Sequence, residues 1–249
     1  MDLNKKRMMI KNRPVFTVTA VILSLFFLVT ACGKKETEGP ESKGNEPFPE
    51  SFTFFNMESN TLLNDSTLEE LKKAFGAQAV TRRTTLDLEI QQRGLLAKEF
   101  AELAGLNEKL NGVSNERVEH DTTLLTYRYP PETNKFFKYI RIWFSNLNHK
   151  PLMVEILTEA GSQHLIDGIR EKYGKPKSVA LESDRESLEY WVLSRDTLMV
   201  SKTQNRYGAD IYQIKIYFVN NMEILALKER GGTSIPGDSQ KAPEKINLF

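Results

Sequence analysis

Two stretches constrain the fold more than any others. Residues 136–144 read FFKYIRIWF and residues 211–219 read IYQIKIYFV. Both alternate with a period of two, which a strand satisfies and a helix does not. In the first, Phe136, Ile140, Ile142 and Phe144 share one face, and Phe137, Tyr139, Arg141 and Trp143 share the other. In the second, Tyr212, Ile214, Ile216 and Phe218 face one way, and Gln213, Lys215 and Tyr217 the other. Each strand therefore needs an apolar layer on at least one side. Asn146–Lys150 and Asn220-Asn221 have turn chemistry. Strands are expected after them, at Met153–Leu157 and Met222–Leu225. A further tight turn at Arg195-Asp196 would join strands near 188–194 and 197–203.

Helices are expected upstream of each stretch. Ser66 with Glu69 three residues later fits a capping box, and Gly76 supplies the terminal position. Leu68, Leu71 and Phe75 then fall on one face. A second helix starts at Ser162, turns Leu165, Ile166, Ile169 and Tyr173 inward, and ends at Gly174 with Pro176 beyond. Leu96, Phe100 and Leu103 indicate another, over about 94–103.

The order helix, strands, hairpin thus occurs twice, with YIRIWF at 139–144 matched to QIKIYF at 213–218. The first unit carries an insertion. The fold class implied is α+β: two layers, with short helices packed on antiparallel sheet and a tandem repeat of helix-strand-hairpin units. The units would be residues 51–160 and 161–230. Helices would cover the Ile/Phe face, leaving Tyr139, Arg141, Trp143, Lys215 and Tyr217 partly open. That row matches the Trp/Tyr/Arg enrichment of protein-interface hot spots, and it is the expected partner-binding face. The alternative is that a second layer, or the insertion near 80–118, buries it as ordinary core.

The arrangement resembles the tandem modules of the β-lactamase-inhibitor-protein-like group, which includes small outer-membrane assembly lipoproteins of the SmpA/OmlA type. The residues that carry the resemblance are the helix-ending Tyr173-Gly174-Lys175-Pro176 and the element order over Asn64–Lys228. It implies a concave sheet face that binds protein partners. It assigns no role to any single residue.

The chain begins differently. Five cations and one anion precede residue 32, and an apolar run spans Val15 to Val29. That is a signal-peptide pattern, and the run is shorter than the ~20 residues of a usual bilayer span. An uncleaved anchor is the competing reading. Val29-Thr30-Ala31-Cys32 resembles the lipobox of bacterial lipoproteins, with Val for the commoner Leu. The resemblance implies lipidation of the Cys32 thiol, removal of residues 1–31, and fatty acylation of the new terminus. Gly33 after the cysteine then implies the outer membrane in a Gram-negative cell. In a Gram-positive cell the outer face of the plasma membrane is implied.

Residues 33–50 and 231–249 are rich in Gly, Pro, Ser, Lys and Glu, the composition of disordered segments. The first reads as a tether with a reach of roughly 20–25 Å, the second as a tail.

The net charge of the chain is +1, and residues 1–31 account for +4 of it, leaving −3 for the rest. Nothing in that balance points to nucleic acid. No nucleophile elbow, phosphate loop or dinucleotide fingerprint occurs. The three histidines, His120, His149 and His164, lack metal-ligand spacing. Glu119-His120-Asp121 places three titratable groups in a row, but neighbours on a strand point to opposite faces. The expectation is a non-enzymatic, membrane-anchored envelope lipoprotein with an envelope protein as partner and no cofactor. A glycan- or lipid-binding module is the alternative. A hydrolase built from dispersed acidic residues ranks third.

Overall fold

In the computed structural model, residues 51–231 are described, apart from 113–116, 130–135, 159, 182 and 184. Cys32, the lipobox, the tether and nearly all of the expected tail lie outside them. The described residues fall in one compact unit, Glu46–Phe249.

The elements run α1 (Asp65–Phe75), β1 (Ala79–Thr85), α2 (Leu95–Glu99), α3 (Ala101–Asn111), β2 (Glu119–Arg128), β3 (Phe137–Ser145), β4 (Pro151–Thr158), α4 (Gln163–Tyr173), β5 (Lys177–Val179), β6 (Ser187–Leu193), β7 (Asp196–Gln204), β8 (Asp210–Tyr217) and α5 (Val219–Glu229). The eight strands form one sheet in the order β1-β2-β3-β4-β8-β7-β6-β5, antiparallel throughout. Residues 51–160 supply α1–α3 and β1–β4, residues 161–230 supply α4, α5 and β5–β8, and the two sets of strands meet where β4 pairs β8. The mixed α+β class is as expected.

Three layers replace the expected two. On one face, Leu71 of α1 with Ile166 and Tyr173 of α4 pack on Leu125, Ile140, Ile142, Phe144, Ile214, Ile216 and Phe218. On the other, α2, α3 and α5 pack on Trp143, Met153, Leu188, Met199 and Tyr217. A sheet with large apolar side chains on both faces needs a layer on each.

Several local expectations change. Met222–Leu225 is helical: it lies within α5, which buries Val219, Met222, Leu225 and Ala226. Asn220-Asn221 is accordingly its first turn. The Asp196 carboxylate accepts the Val219 N–H at 3.1 Å, so a group from the β6–β7 corner satisfies an otherwise orphaned helix donor. The match of 139–144 to 213–218 does not follow the sheet order either, since β3 is the third strand of its set and β8 the fourth.

Asn64, rather than Ser66, caps α1, its side chain accepting from the Thr67 N–H at 2.9 Å. The insertion holds two helices, broken at Phe100. In β3 the register slips between Phe137 and Tyr139. This bulge reverses the parity, so Phe137 joins the Ile face. Phe136 precedes the strand, is half exposed, and meets the His164 ring edge-on at 4.3 Å.

Candidate functional site

The five residues expected to form an open face all lie on the side covered by the insertion. Tyr217 is fully buried, Trp143 is 6% exposed and Lys215 only 4%. The expectation of a partly open row is thereby corrected. Tyr139 and Arg141 alone remain half-buried.

What covers the row is an extended strap, residues 86–92, which crosses the sheet between β1 and α2. Its Leu86, Leu88 and Ile90 are buried. Its backbone is held by side chains of β8. Gln213 Oε1 accepts the Gln91 N–H at 3.1 Å. The Lys215 ammonium donates to the Glu89 carbonyl at 2.5 Å and, more weakly, to that of Asp87 at 3.4 Å. Tyr217 donates its hydroxyl to the Leu88 carbonyl at 2.8 Å. From above, Asn107 of α3 accepts the Leu88 N–H and Asn111 donates to the Leu86 carbonyl. The polar alternation in β8 thus binds the strap's backbone. A buried extended segment must have its peptide groups satisfied, and these side chains do so.

Beside the strap opens a cleft of about 1040 Å³. Its floor is a row of charges set by register: Arg141 on β3 lies opposite Glu155 on β4, which lies opposite Lys215 on β8. Glu155 is 6% exposed. One of its oxygens accepts from Gln213 Nε2 at 2.6 Å and from the Tyr139 hydroxyl at 3.3 Å. The other accepts from Arg141 at 3.4 Å. Full hydrogen bonding is what makes a buried carboxylate tolerable.

Burial pushes the Lys215 ammonium below its ordinary pKa, while the facing Glu155, Asp87 and Glu89 carboxylates oppose that shift. Burial, then the Glu155 charge, pushes Tyr139 up to about 12. The Arg141 guanidinium lies 4.4 Å from the centre of the Tyr139 ring and covers that face. Asp87, Glu89, Arg93 and Arg117 complete the charged lining.

The other sequence candidates do not converge. His120 is buried, with Nδ1 2.6 Å from a carboxylate oxygen of Glu229 in α5. Asp121 accepts instead from Asn146, at 2.8 Å, and Glu119 is exposed. The His120–Glu229 pair ties α5 to β2. His149 occupies a positive-φ turn position and is exposed. Among the described residues, no group of three or more His, Cys, Asp or Glu side chains is placed to hold a metal. No helix among them is long and apolar enough to cross a membrane.

Glu155 and the strap were not anticipated. Glu155 had a signal: it is the one charge in PLMVEILT, and a lone carboxylate inside an apolar strand needs a partner. The strap's signal is the alternation Leu86, Leu88, Ile90.

No family model matches this chain, nor does any curated protein or any solved structure.

Proposed function

We propose that this chain is a bacterial envelope lipoprotein, anchored through lipid on Cys32, whose body is a non-enzymatic protein-binding module. Residues 1–31 serve as its signal peptide. Gly33 directs it to the outer membrane in a Gram-negative cell. The observation that carries the binding reading is the cleft. It is large and polar, with a charged floor whose inner groups are locked by one another and by the strap. Such a floor offers fixed hydrogen-bonding groups rather than a nucleophile and a base. The partner therefore engages the cleft and its rim, not the open sheet that the sequence led one to expect.

The two halves, α1 with β1–β4 and α4 with β5–β8, are in this reading a tandem duplication about the β4–β8 pairing. Three features support it. Setting α2 and α3 aside, each half runs one helix then four strands; α1 and α4 each end at a positive-φ glycine (Gly76, Gly174), and β1 and β5 follow at the same distance. The insertion 86–118 then distinguishes the first half and builds the cleft. The tandem arrangement agrees with the likeness to the β-lactamase-inhibitor-protein-like group, whose implied open concave sheet face is here covered by the insertion.

A sugar-binding reading fares worse. Arg141 covers one face of the half-buried Tyr139, and Trp143 and Tyr217 are buried, so this row offers little aromatic surface to stack on a glycan.

Two experiments test the proposal. Cys32→Ser abolishes incorporation of labelled fatty acid; continued incorporation at the wild-type level refutes the anchor. Chemical cross-linking in intact cells, followed by purification of the full chain, yields a specific protein adduct. Recovery of the chain alone refutes the binding role.

A further inference from the structure

The arginines of the cleft hold hydrogen-bond donors that the described residues leave unused. Of its carboxylates, Glu155 is engaged by three donors, while Asp87 accepts the Glu89 N–H at 2.9 Å and Glu89 the Gly94 N–H at 3.3 Å and both keep acceptor capacity. Two of its cations are wholly unengaged. Arg93 and Arg117 are exposed at the cleft and have no ion-pair or hydrogen-bond partner among the described residues. Arg141 gives Glu155 one long contact and keeps its other donors. Behind them, the buried indole Nε1 of Trp143, itself a cleft-lining residue, has no acceptor among the described residues. Buried N–H groups are rarely left unpaired.

Residues 51–230, which carry the arginine-lined wall, have a net charge of only −1. On a nearly neutral body, three arginines on one wall make a local positive site that selects acceptor-rich ligands. The volume of about 1040 Å³ exceeds what a lone anion fills, and stands at the top of the roughly 300–1,000 Å³ range of small-ligand pockets. The retained carboxylates disfavour a dense polyphosphate and suit a chain whose charges are spaced by peptide groups.

From these features we infer that the cleft receives an acidic segment of the protein partner, its carboxylates paired with Arg93, Arg117 and Arg141. This rests on the binding-module reading and adds the chemistry of the bound segment.

Isothermal titration of the full chain, held in detergent, tests it with hexaglutamate, hexalysine and inorganic phosphate as probes. Hexaglutamate binds saturably and more weakly as salt rises, and hexalysine does not bind. Arg93→Gln and Arg117→Gln, both on exposed side chains, each weaken hexaglutamate roughly two- to fivefold, the range of exposed charge pairs. The double variant weakens it further. Absence of hexaglutamate binding overturns the inference. So do equal binding of hexalysine and an unchanged affinity in the double variant. Phosphate binding more tightly than hexaglutamate, with the same arginine dependence, overturns the peptide assignment. If hexaglutamate fails while the cellular adduct is still recovered, the acidic segment is refuted and the binding module stands. If the adduct is missing, the binding module falls.

Discussion

Two fully buried tyrosines offer a matched test of the strap. Tyr217 donates its hydroxyl to the Leu88 carbonyl at 2.8 Å, whereas the buried Tyr127 hydroxyl has no partner among the described residues. Both side chains are 0% exposed, so replacement by phenylalanine removes one oxygen from comparable environments. Tyr217→Phe deletes a hydrogen bond and leaves a strap carbonyl without its donor, which costs about 1–3 kcal/mol. Tyr127→Phe removes a desolvated hydroxyl that gains nothing in return, so its effect is near zero or stabilising.

The strap itself stays docked in Tyr217→Phe. Burial of Leu86, Leu88 and Ile90 contributes about 1.5–3 kcal/mol each as an upper estimate, more in total than one hydrogen bond. Urea denaturation at neutral pH measures both variants; the midpoints separate while the m-values agree. Amide exchange at Leu88 and Gln91, whose N–H groups bond to Asn107 and Gln213, accelerates in Tyr217→Phe without reaching the unfolded rate. Equal midpoints for the two variants, or a larger loss in Tyr127→Phe, would refute the reasoning.

Three further outcomes follow from the same structure. Tyr127 and Tyr139 are pushed up to about 12 and Tyr217 well above 10, chiefly by burial. Above pH 10 the unfolded chain loses these protons first, so stability falls over about pH 10–12. A pH series of urea midpoints shows this, with a shallower fall in Tyr127→Phe; an unchanged slope contradicts it. The lowered pKa of Lys215 acts oppositely, because between that lowered value and about 10.5 the unfolded chain holds a proton that the folded chain has released. Stability therefore gains from rising pH over that range, and Lys215→Met removes this gain; a retained gain contradicts the assignment. Asp196→Ala strips the Ser51 hydroxyl and the Val219 N–H of their acceptor, and costs about 1–3 kcal/mol in denaturant titration. A neutral result contradicts its role at the start of α5.

Much of the sheet was legible, because β3 and β8 carry apolar side chains at a strict period of two. What escaped depended on partners distant in sequence. The bulge at Lys138 follows from how β3 registers on β4, and nothing within FFKYIRIWF announces it. Met222–Leu225 was too short to separate a strand from a helix. The wider set of Val219, Met222, Leu225 and Ala226 has the helical spacing that decides it. Asn64 and Ser66 are both capable caps two residues apart, and only geometry selects Asn64. The row from Tyr139 to Tyr217 was located correctly on one face, but its exposure was not. Side chains such as Tyr and Lys suit an open interface as well as a buried one, and only the strap's position distinguishes them. Of the cleft lining, Arg141, Trp143 and Lys215 were expected on a binding face, though an open one. Arg93 and Arg117 carry no local pattern that marks them.

The central claim is that a protein partner docks at this cleft rather than on the helical face opposite. Site-specific photo-cross-linking in intact cells tests it most directly, with the photoreactive residue at Ala97 on the cleft or at Glu70 on exposed α1. The account predicts a discrete adduct from position 97 that disappears in the Arg93→Gln/Arg117→Gln chain, and none from position 70. An adduct from position 70 alone, or one from position 97 that persists without the arginines, would contradict it.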